Sequence, residues 1–383
     1  MLAQGVFTNF SKISAQVFKK YDEAVIQRRS RVRRNIDAEY ICQFTFKLMT
    51  KVPGGFGVVA QELSETLNYK DIPSYAASSI CEARKKFPAD LFLDLNRELL
   101  GQVENGLGSD ELIEGQGSRK IFAVDGSKMF VPRGLKKFGF KTEIKECHYP
   151  TARISCLFEV GAGLIHDISL NAHGDERKAA LTHFAKIKPE DIVIYDRGYF
   201  GFKLIAKHAA HKSDFIMRVG DKVGVKEIDQ FIEKNQNKKT ADSTVTIQPK
   251  CHKVQKKLEK SFPGQTLCFA LRIVKYTHEN TSYYVLTSLK DQPSFSVQRL
   301  SDLYHARWGV EEIYKQIKVF TLGRTFHGIC QRTVRQELYA SALLLNIGRI
   351  LALETENEKK MRLSRKDGKL IKDMLLSSRF PLQ

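Results

Sequence analysis

The hydrophobic pattern changes near residue 118, from helical spacing to short buried runs. Before that point apolar residues recur about one helical turn apart, as at Tyr40, Phe44 and Leu48, which predicts helices through residue 110. Beyond it, uninterrupted apolar runs are typical of strands that are buried on both faces. Strands are predicted at 120–124, 153–160, 163–170, 191–195 and 214–219, with helices at 175–187 and 201–211. This order of elements indicates an α/β domain.

The segment after the last of these strands is too long for a simple loop. Alternating or β-rich stretches at 243–247, 266–276 and 283–287 predict a mostly β insertion. A later amphipathic helix is predicted at 334–353, followed by a highly charged tail.

One helical stretch, 304–320, places its polar side chains on one side. At about 100° per residue, five of them fall within roughly 80° of one another. Apolar residues such as Val310 and Ile317 fall on another side, where we expect burial. The polar stripe consists of Tyr304, Arg307, Glu311, Lys315 and Lys318. A carboxylate between an arginine and two lysines suits an acidic metal ligand beside a bound phosphate.

Two aspartates upstream each follow an apolar run and are followed closely by glycine. They are Asp125 and Asp196. Because open α/β sheets place functional groups at strand ends, these aspartates and Glu311 can converge. Three hard oxygen donors without clustered Cys or His favour Mg²⁺ or Mn²⁺ over zinc. Glu312 is the rival third ligand, but it lies about 100° from Glu311 and off the polar stripe.

These residues resemble the signature of a known family. The spacing of Tyr304, Arg307, Glu311 and Lys318 is similar to that of bacterial insertion-sequence transposases of the Tyr-Arg-Glu-Lys branch, insertion sequence family four, which are DDE enzymes. The motifs at 123–127 and 195–199 resemble the two aspartate motifs of that family, in the same order.

The resemblance implies an RNase H-like fold: a mixed five-stranded sheet flanked by helices, in which the strands carrying Asp125 and Asp196 are neighbours. We therefore expect four regions. They are an N-terminal helical DNA-binding domain at 1–110, a catalytic core at 118–220 and 290–353, a β-rich insertion at 221–289, and a tail at 354–383.

The resemblance also implies a DNA transposase that cleaves and transfers the ends of an insertion sequence. Asp125, Asp196 and Glu311 would hold two Mg²⁺ or Mn²⁺ ions, and the expected partners are terminal inverted repeats, target DNA and a second protomer. Two alternatives remain open: an RNase H-like nuclease without strand transfer, and a non-catalytic DNA-binding regulator derived from a transposase. Phosphates beside the cleaved end would be bound by Tyr304, Arg307 and Lys318.

Charge supports a polyanionic partner without identifying it. The chain of 383 residues has 62 basic and 43 acidic residues, a net charge of +19, which favours salt-sensitive attraction to nucleic acid. Its seven cysteines are scattered without a Cys-x-x-Cys pair, which indicates reduced thiols. No early apolar stretch resembles a signal peptide, so we expect a cytoplasmic, nucleoid-associated bacterial protein without a membrane partner.

Several features allow two interpretations each. Segments 61–67 and 74–87 could form a helix-turn-helix or a plain helical hairpin, and the basic run 83–86 could be a DNA patch or a solvated face. The lysines within 250–260 could touch DNA or blunt an exposed hairpin edge. Trp308 could stack on a base, but packing between helices is the commoner role.

Overall fold

A computed structural model describes residues 2–27, 36–49, 55–67, 75–106, 119–143, 147–172, 174–320 and 326–366. Within these ranges the α-helices are α1 (Leu2–Gln27), α2 (Ala38–Met49), α3 (Gly55–Leu67), α4 (Ala77–Arg84), α5 (Asp90–Gly106), α6 (Glu176–Thr182), α7 (Phe202–His211), α8 (Lys226–Asn235), α9 (His252–Ser261), α10 (Val297–His305), α11 (Gly309–Phe320) and α12 (Gln331–Lys366). The strands are β1 (Ile121–Phe130), β2 (Thr151–Glu159), β3 (Leu164–Asn171), β4 (Ile192–Tyr195), β5 (Asp214–Val219), β6 (Ala241–Ile247), β7 (Phe269–His278) and β8 (Thr281–Thr287).

All eight strands join one mixed sheet in the order β3-β2-β1-β4-β5-β8-β7-β6. The hairpin-connected strands β1, β2 and β3 pair antiparallel, whereas β1, β4 and β5 run parallel. The first five strands in the order 3-2-1-4-5 form the RNase H-like arrangement, so the predicted fold class is confirmed.

The sheet is longer than the five strands that we expected. The strands of the insertion do not form a separate sheet, because β8 pairs antiparallel with β5, with Met217 opposite Leu286. Strands β7 and β6 then continue the same sheet. This pairing covers the backbone of β5, which would otherwise be an unpaired edge.

Helices cover both faces of the sheet because neighbouring residues of β1 point in opposite directions. Ala123 packs into a cluster with α11, α12 and the N-terminal helices. Phe122 and Val124 pack into the opposite cluster, which includes residues of α6, α7 and α8. A third cluster places α10 over β7 and β8. The central strands β1 and β4 are therefore buried on both sides, as their apolar runs predicted.

The N-terminal helices are attached to the core through a buried ion pair. Arg84 at the end of α4 is 1% exposed and donates to Glu337 Oε1 of α12 at 2.8 Å. The same guanidinium donates to Gln336 Oε1 at 3.0 Å. The interpretation of 83–86 as a basic surface patch is therefore wrong for Arg84, which lies in the protein interior. The turn of the possible helix-turn-helix lies at 68–74, outside the described residues.

A basic stretch of the sequence, with five arginines within 28–34, lies outside the described residues. Helix α12 extends beyond its predicted end, past Leu353 to Lys366, so the first part of the expected tail is helical. Among the described helices, none has the length and apolar character that a membrane span requires.

The lysine-rich segment 250–260 is not a hairpin edge. It forms the helix α9 between β6 and β7, with Leu258 buried against the sheet. Leu258 is the buried residue of this helix, and the lysines around it remain exposed.

Candidate active site

The two aspartates lie side by side because β1 and β4 are parallel neighbours in register. Val124 of β1 is opposite Tyr195 of β4, and the aspartates follow these two residues directly. Asp125 is not at the end of its strand, since β1 continues to Phe130 and Asp125 pairs with Cys156 of β2. It lies instead where the parallel partner β4 ends, which leaves that side of β1 open for a functional group.

The third carboxylate comes from a broken helix. The stretch predicted as one helix consists of α10, a 3₁₀ turn at Ala306–Trp308, and α11, which carries Glu311 in its first turn. Gly309 begins α11 against β2, where a Cβ atom would lie 2.9 Å from the ring of Phe158. A glycine at this position therefore permits the close approach that brings α11 to the strand beside Asp125.

The side chain of Arg307 joins two of the three carboxylates. Its Nη1 donates to Asp125 Oδ2 at 3.1 Å, and its Nη2 donates to Glu311 Oε1 at 2.9 Å. The third carboxylate accepts a hydrogen bond from Tyr304, whose hydroxyl lies 2.9 Å from Asp196 Oδ1. The three predicted acidic residues are thus gathered around two neighbouring members of the polar stripe.

Arg307 and Tyr304 were predicted to contact DNA phosphates, but in the structure they face the carboxylates. Arg307 is 5% exposed and Tyr304 is 1% exposed. Lys318 is exposed on α11, two helical turns beyond Glu311. Lys315 pairs with Glu312 at 2.5 Å on the helix surface, so the rival carboxylate is engaged away from the aspartates.

The two aspartates differ in electrostatic environment. Burial raises the pKa of Asp125 above its usual value, and the positive charge of Arg307 offsets this only in part. Burial also acts on Asp196, but hydrogen bonds from the Arg197 amide and from Tyr304, with nearby arginines, leave its pKa below the usual value. Asp196 is therefore the more firmly ionised of the two carboxylates.

Residues that the sequence did not indicate also support the site. The hydroxyl of Tyr314, on α11, donates to the backbone oxygen of Asp125 at 2.6 Å. This bond fixes the distance between α11 and β1. Tyr314 lies one turn after Glu311, and that spacing was the only signal in the sequence.

Glu176 is the second such residue. Its carboxylate lies next to Gly126 and Gly198, the glycines that follow the two aspartates, and it is paired with Arg153 of β2. A Cβ atom on Gly198 would lie 3.3 Å from Glu176 Oε2, and one on Gly126 would lie 3.4 Å from Oε1. The position of Glu176 at the start of α6 indicated only a favourable helix N-terminus. In the structure it also packs between Gly126 of β1 and Gly198, beside the two aspartates.

Trp308 does not pack between helices, contrary to the commoner role. Its side chain is 45% exposed, next to the imidazole rings of His305 at 5.1 Å and His278 at 6.3 Å. His278 belongs to the β7–β8 hairpin, so the insertion reaches the edge of the site.

The donor set suits a hard divalent cation. Asp125 and Glu311 offer carboxylate oxygens, and the group between them is itself a cation, the guanidinium of Arg307. Among the described residues, no three Asp, Glu, His or Cys side chains are already arranged as a complete metal site. The guanidinium of Arg307 therefore lies where a divalent ion would have to bind Asp125 and Glu311.

Comparison with known proteins places the chain in a family. Residues 116–347 match the family described as transposase DDE domain, whose members generally use divalent metal ions. No curated protein matches the sequence. The chain is similar in structure to the piggyBac transposase in a solved synaptic complex with hairpin DNA. It is 12% identical, with a TM-score of 0.47, and the match covers 94% of this chain and 76% of that one.

The family match spans more than half of the chain and includes both aspartate strands and all of α11. The chain therefore belongs to the transposase DDE domain family and is a DNA transposase, an enzyme of the polynucleotidyl transferase type.

Proposed function

We propose that Asp125, Asp196 and Glu311 are the catalytic residues and that they hold two Mg²⁺ or Mn²⁺ ions. The observation that carries this proposal is the guanidinium of Arg307, which spans Asp125 and Glu311 beside Asp196. These two carboxylates therefore lie on either side of one cationic group, and Asp196 is held beside them by Tyr304. The ions would activate a water or a 3′-hydroxyl and stabilise the leaving oxygen of the phosphodiester.

The neighbouring residues hold these carboxylates in position. Tyr304 fixes the orientation of Asp196 through its hydroxyl, and Tyr314 holds the β1 backbone at Asp125. Arg307, which pairs with Asp125 and Glu311, would compete with the ions for these oxygens. Once displaced by the ions, its guanidinium fork could bind the phosphate of the strand to be cut.

This competition gives a prediction for Arg307→Met. Without the guanidinium, Asp125 and Glu311 lose their counter-charge, so we expect Mn²⁺ to bind about tenfold more tightly, equivalent to about 1.4 kcal/mol. DNA cleavage should nevertheless fall, because the phosphate contact is lost. Titration calorimetry with Mn²⁺ measures the change in Mn²⁺ affinity.

Arg299→Met, which removes the same charge from the first turn of α10, is the control and should leave Mn²⁺ affinity unchanged. Weaker Mn²⁺ binding by Arg307→Met would contradict the competition.

We further propose that the enzyme belongs to the Tyr-Arg-Glu-Lys branch of bacterial insertion-sequence transposases and acts in the cytoplasm on nucleoid DNA. The motif spacing, including Lys318 as a phosphate contact, supports this assignment. Two protomers would assemble on paired transposon ends. The regions at 1–110, 118–220 with 290–353, and 221–289 would serve as DNA-binding domain, catalytic core and insertion.

A strand-transfer assay tests the proposed reaction. Its substrates are precut DNA ends taken from the inverted repeats that flank the coding region, with a supercoiled plasmid as target. We expect Mg²⁺-dependent joining of the 3′ ends to the plasmid, without a covalent link to the protein. Cleavage of uncut ends without any joining would instead identify a nuclease.

A further inference from the structure

The helix α9 has one basic side and one buried side. At 100° per residue, its four lysines fall within about 100° of one another. Leu258 lies on the other side and is 3% exposed. The four lysine side chains are all exposed to solvent. We call them the lysine face: Lys253, Lys256, Lys257 and Lys260.

The lysine face is not neutralised by the protein itself. Other exposed lysines hold carboxylates, as Lys128 holds Glu143 at 2.6 Å. Within the residues that the structure describes, no ion pair involves any of the four lysines of α9. Four like charges at neighbouring helical positions repel one another, and a bound anion would relieve this repulsion.

The helix is firmly attached to the domain. Gln255 donates to the backbone oxygen of Pro249 at 2.7 Å, which fixes the first turn. Phe262 and Leu267 pack beside Leu258 in the cluster under the sheet. Just after the helix, Gln265 donates to the backbone oxygen of Ala206 in α7 at 3.0 Å. The lysine face is therefore held in a fixed direction by the rest of the fold.

We propose that the lysine face binds the phosphate backbone of duplex DNA, at a surface separate from the carboxylate site. From Lys253 to Lys260 the helix rises about 10 Å, a length over which duplex DNA presents about six phosphate charges. Ammonium groups attract phosphates as point charges and carry little base information. The contact would therefore be independent of sequence and would position DNA along the insertion.

Charge removal at matched positions tests this inference. One variant combines Lys253→Gln, Lys256→Gln, Lys257→Gln and Lys260→Gln. The control combines Lys226→Gln, Lys234→Gln, Lys238→Gln and Lys239→Gln, which removes four exposed lysines from α8 and the turn that follows it. Both variants have the same net charge and both change the insertion.

Binding is measured on a 30-base-pair duplex of unrelated sequence, in EDTA, at several salt concentrations. Removal of the lysine face should weaken binding at least about tenfold at 0.1 M salt and reduce the slope of log K against log salt by about 2 to 4. The control should lose clearly less affinity, and the slope of log K against log salt should change clearly less. Equal loss in the two variants, or no loss in either, would overturn the inference. Because no metal or cleavage is involved, this outcome is independent of the roles of Asp125, Asp196 and Glu311.

Discussion

Replacement of Asp125, Asp196 or Glu311 by alanine is expected to reduce metal-dependent cleavage of transposon ends by about a thousandfold or more. Each substitution removes a carboxylate that we propose as a ligand of the catalytic ions, and a loss of about 4 kcal/mol in transition-state stabilisation corresponds to that factor. Duplex binding should persist, because the lysine face and other basic surfaces are unchanged. Gel-based cleavage assays and binding titrations on the same DNA measure the two effects separately.

Glu312→Ala is the matched control for Glu311→Ala. Glu312 is the adjacent residue in the first turn of α11, and its carboxylate pairs with Lys315 on the surface. Its removal changes charge and helix content in the same way as removal of Glu311. We expect nearly normal cleavage by this variant. If Glu312→Ala were inactive and Glu311→Ala active, the assignment of the third ligand would be wrong.

Arg84→Ala is expected to destabilise the folded chain strongly, by about 3 to 5 kcal/mol in the free energy of unfolding. Arg84 and Glu337 have side chains only 1% and 2% exposed, so removal of the arginine leaves a buried carboxylate without its counter-charge. Denaturant titration followed by circular dichroism measures the change. Lys85→Ala, at the next position in sequence, where the side chain is 41% exposed, should leave the midpoint unchanged.

The pH dependence of stability provides a second readout for this pair. Burial raises the pKa of Glu337, but Arg84 and the other hydrogen bonds more than offset this and hold the pKa below its usual value. A lowered pKa contributes stability above the pKa of the unfolded chain, and this contribution is lost as pH falls through the folded value. Wild-type protein should therefore lose this stability in acid, below about pH 4. Over the same pH range, Arg84→Ala should lose much less of its free energy of unfolding.

The double variant Arg84→Met with Glu337→Leu should recover only part of the stability. Replacement of both charges removes the unpaired carboxylate, which is the main cost of the single change. Glu337 also accepts hydrogen bonds from the amides of His327 and Gly328, both at 2.8 Å. These amides would have no partner after the change. Full recovery would show that the two backbone bonds contribute little.

The central part of the fold was predictable because it depends on local apolar runs. The segments 121–124 and 192–195 contain only residues that favour burial, and both strands lie in the middle of the sheet. Their order and the aspartates that follow them are visible in the sequence. The added strands β6 to β8 were predicted as β structure, but their pairing with β5 depends on contacts that the local pattern does not encode.

The details of the site could not be predicted because they depend on distant residues. Arg307 and Asp125 are 182 positions apart, and Arg84 and Glu337 are 253 positions apart. In the sequence each arginine belongs to a polar or basic run, which is typical of an exposed face. Only the folded chain shows that each is buried against a carboxylate. The 3₁₀ turn at Ala306–Trp308 likewise interrupts a regular helical pattern.

Iron-directed cleavage of the polypeptide is the most direct measurement of the shared metal site. With Fe²⁺ in place of Mg²⁺, ascorbate and peroxide generate radicals that cut the backbone beside the bound ion, and mass spectrometry locates the cuts. We expect cuts near Asp125, near Asp196 and near Glu311 in the same preparation, suppressed by excess Mg²⁺ and lost in Asp125→Ala. Cuts confined to one of these positions, or located elsewhere in the chain, would contradict a common site built from the three carboxylates.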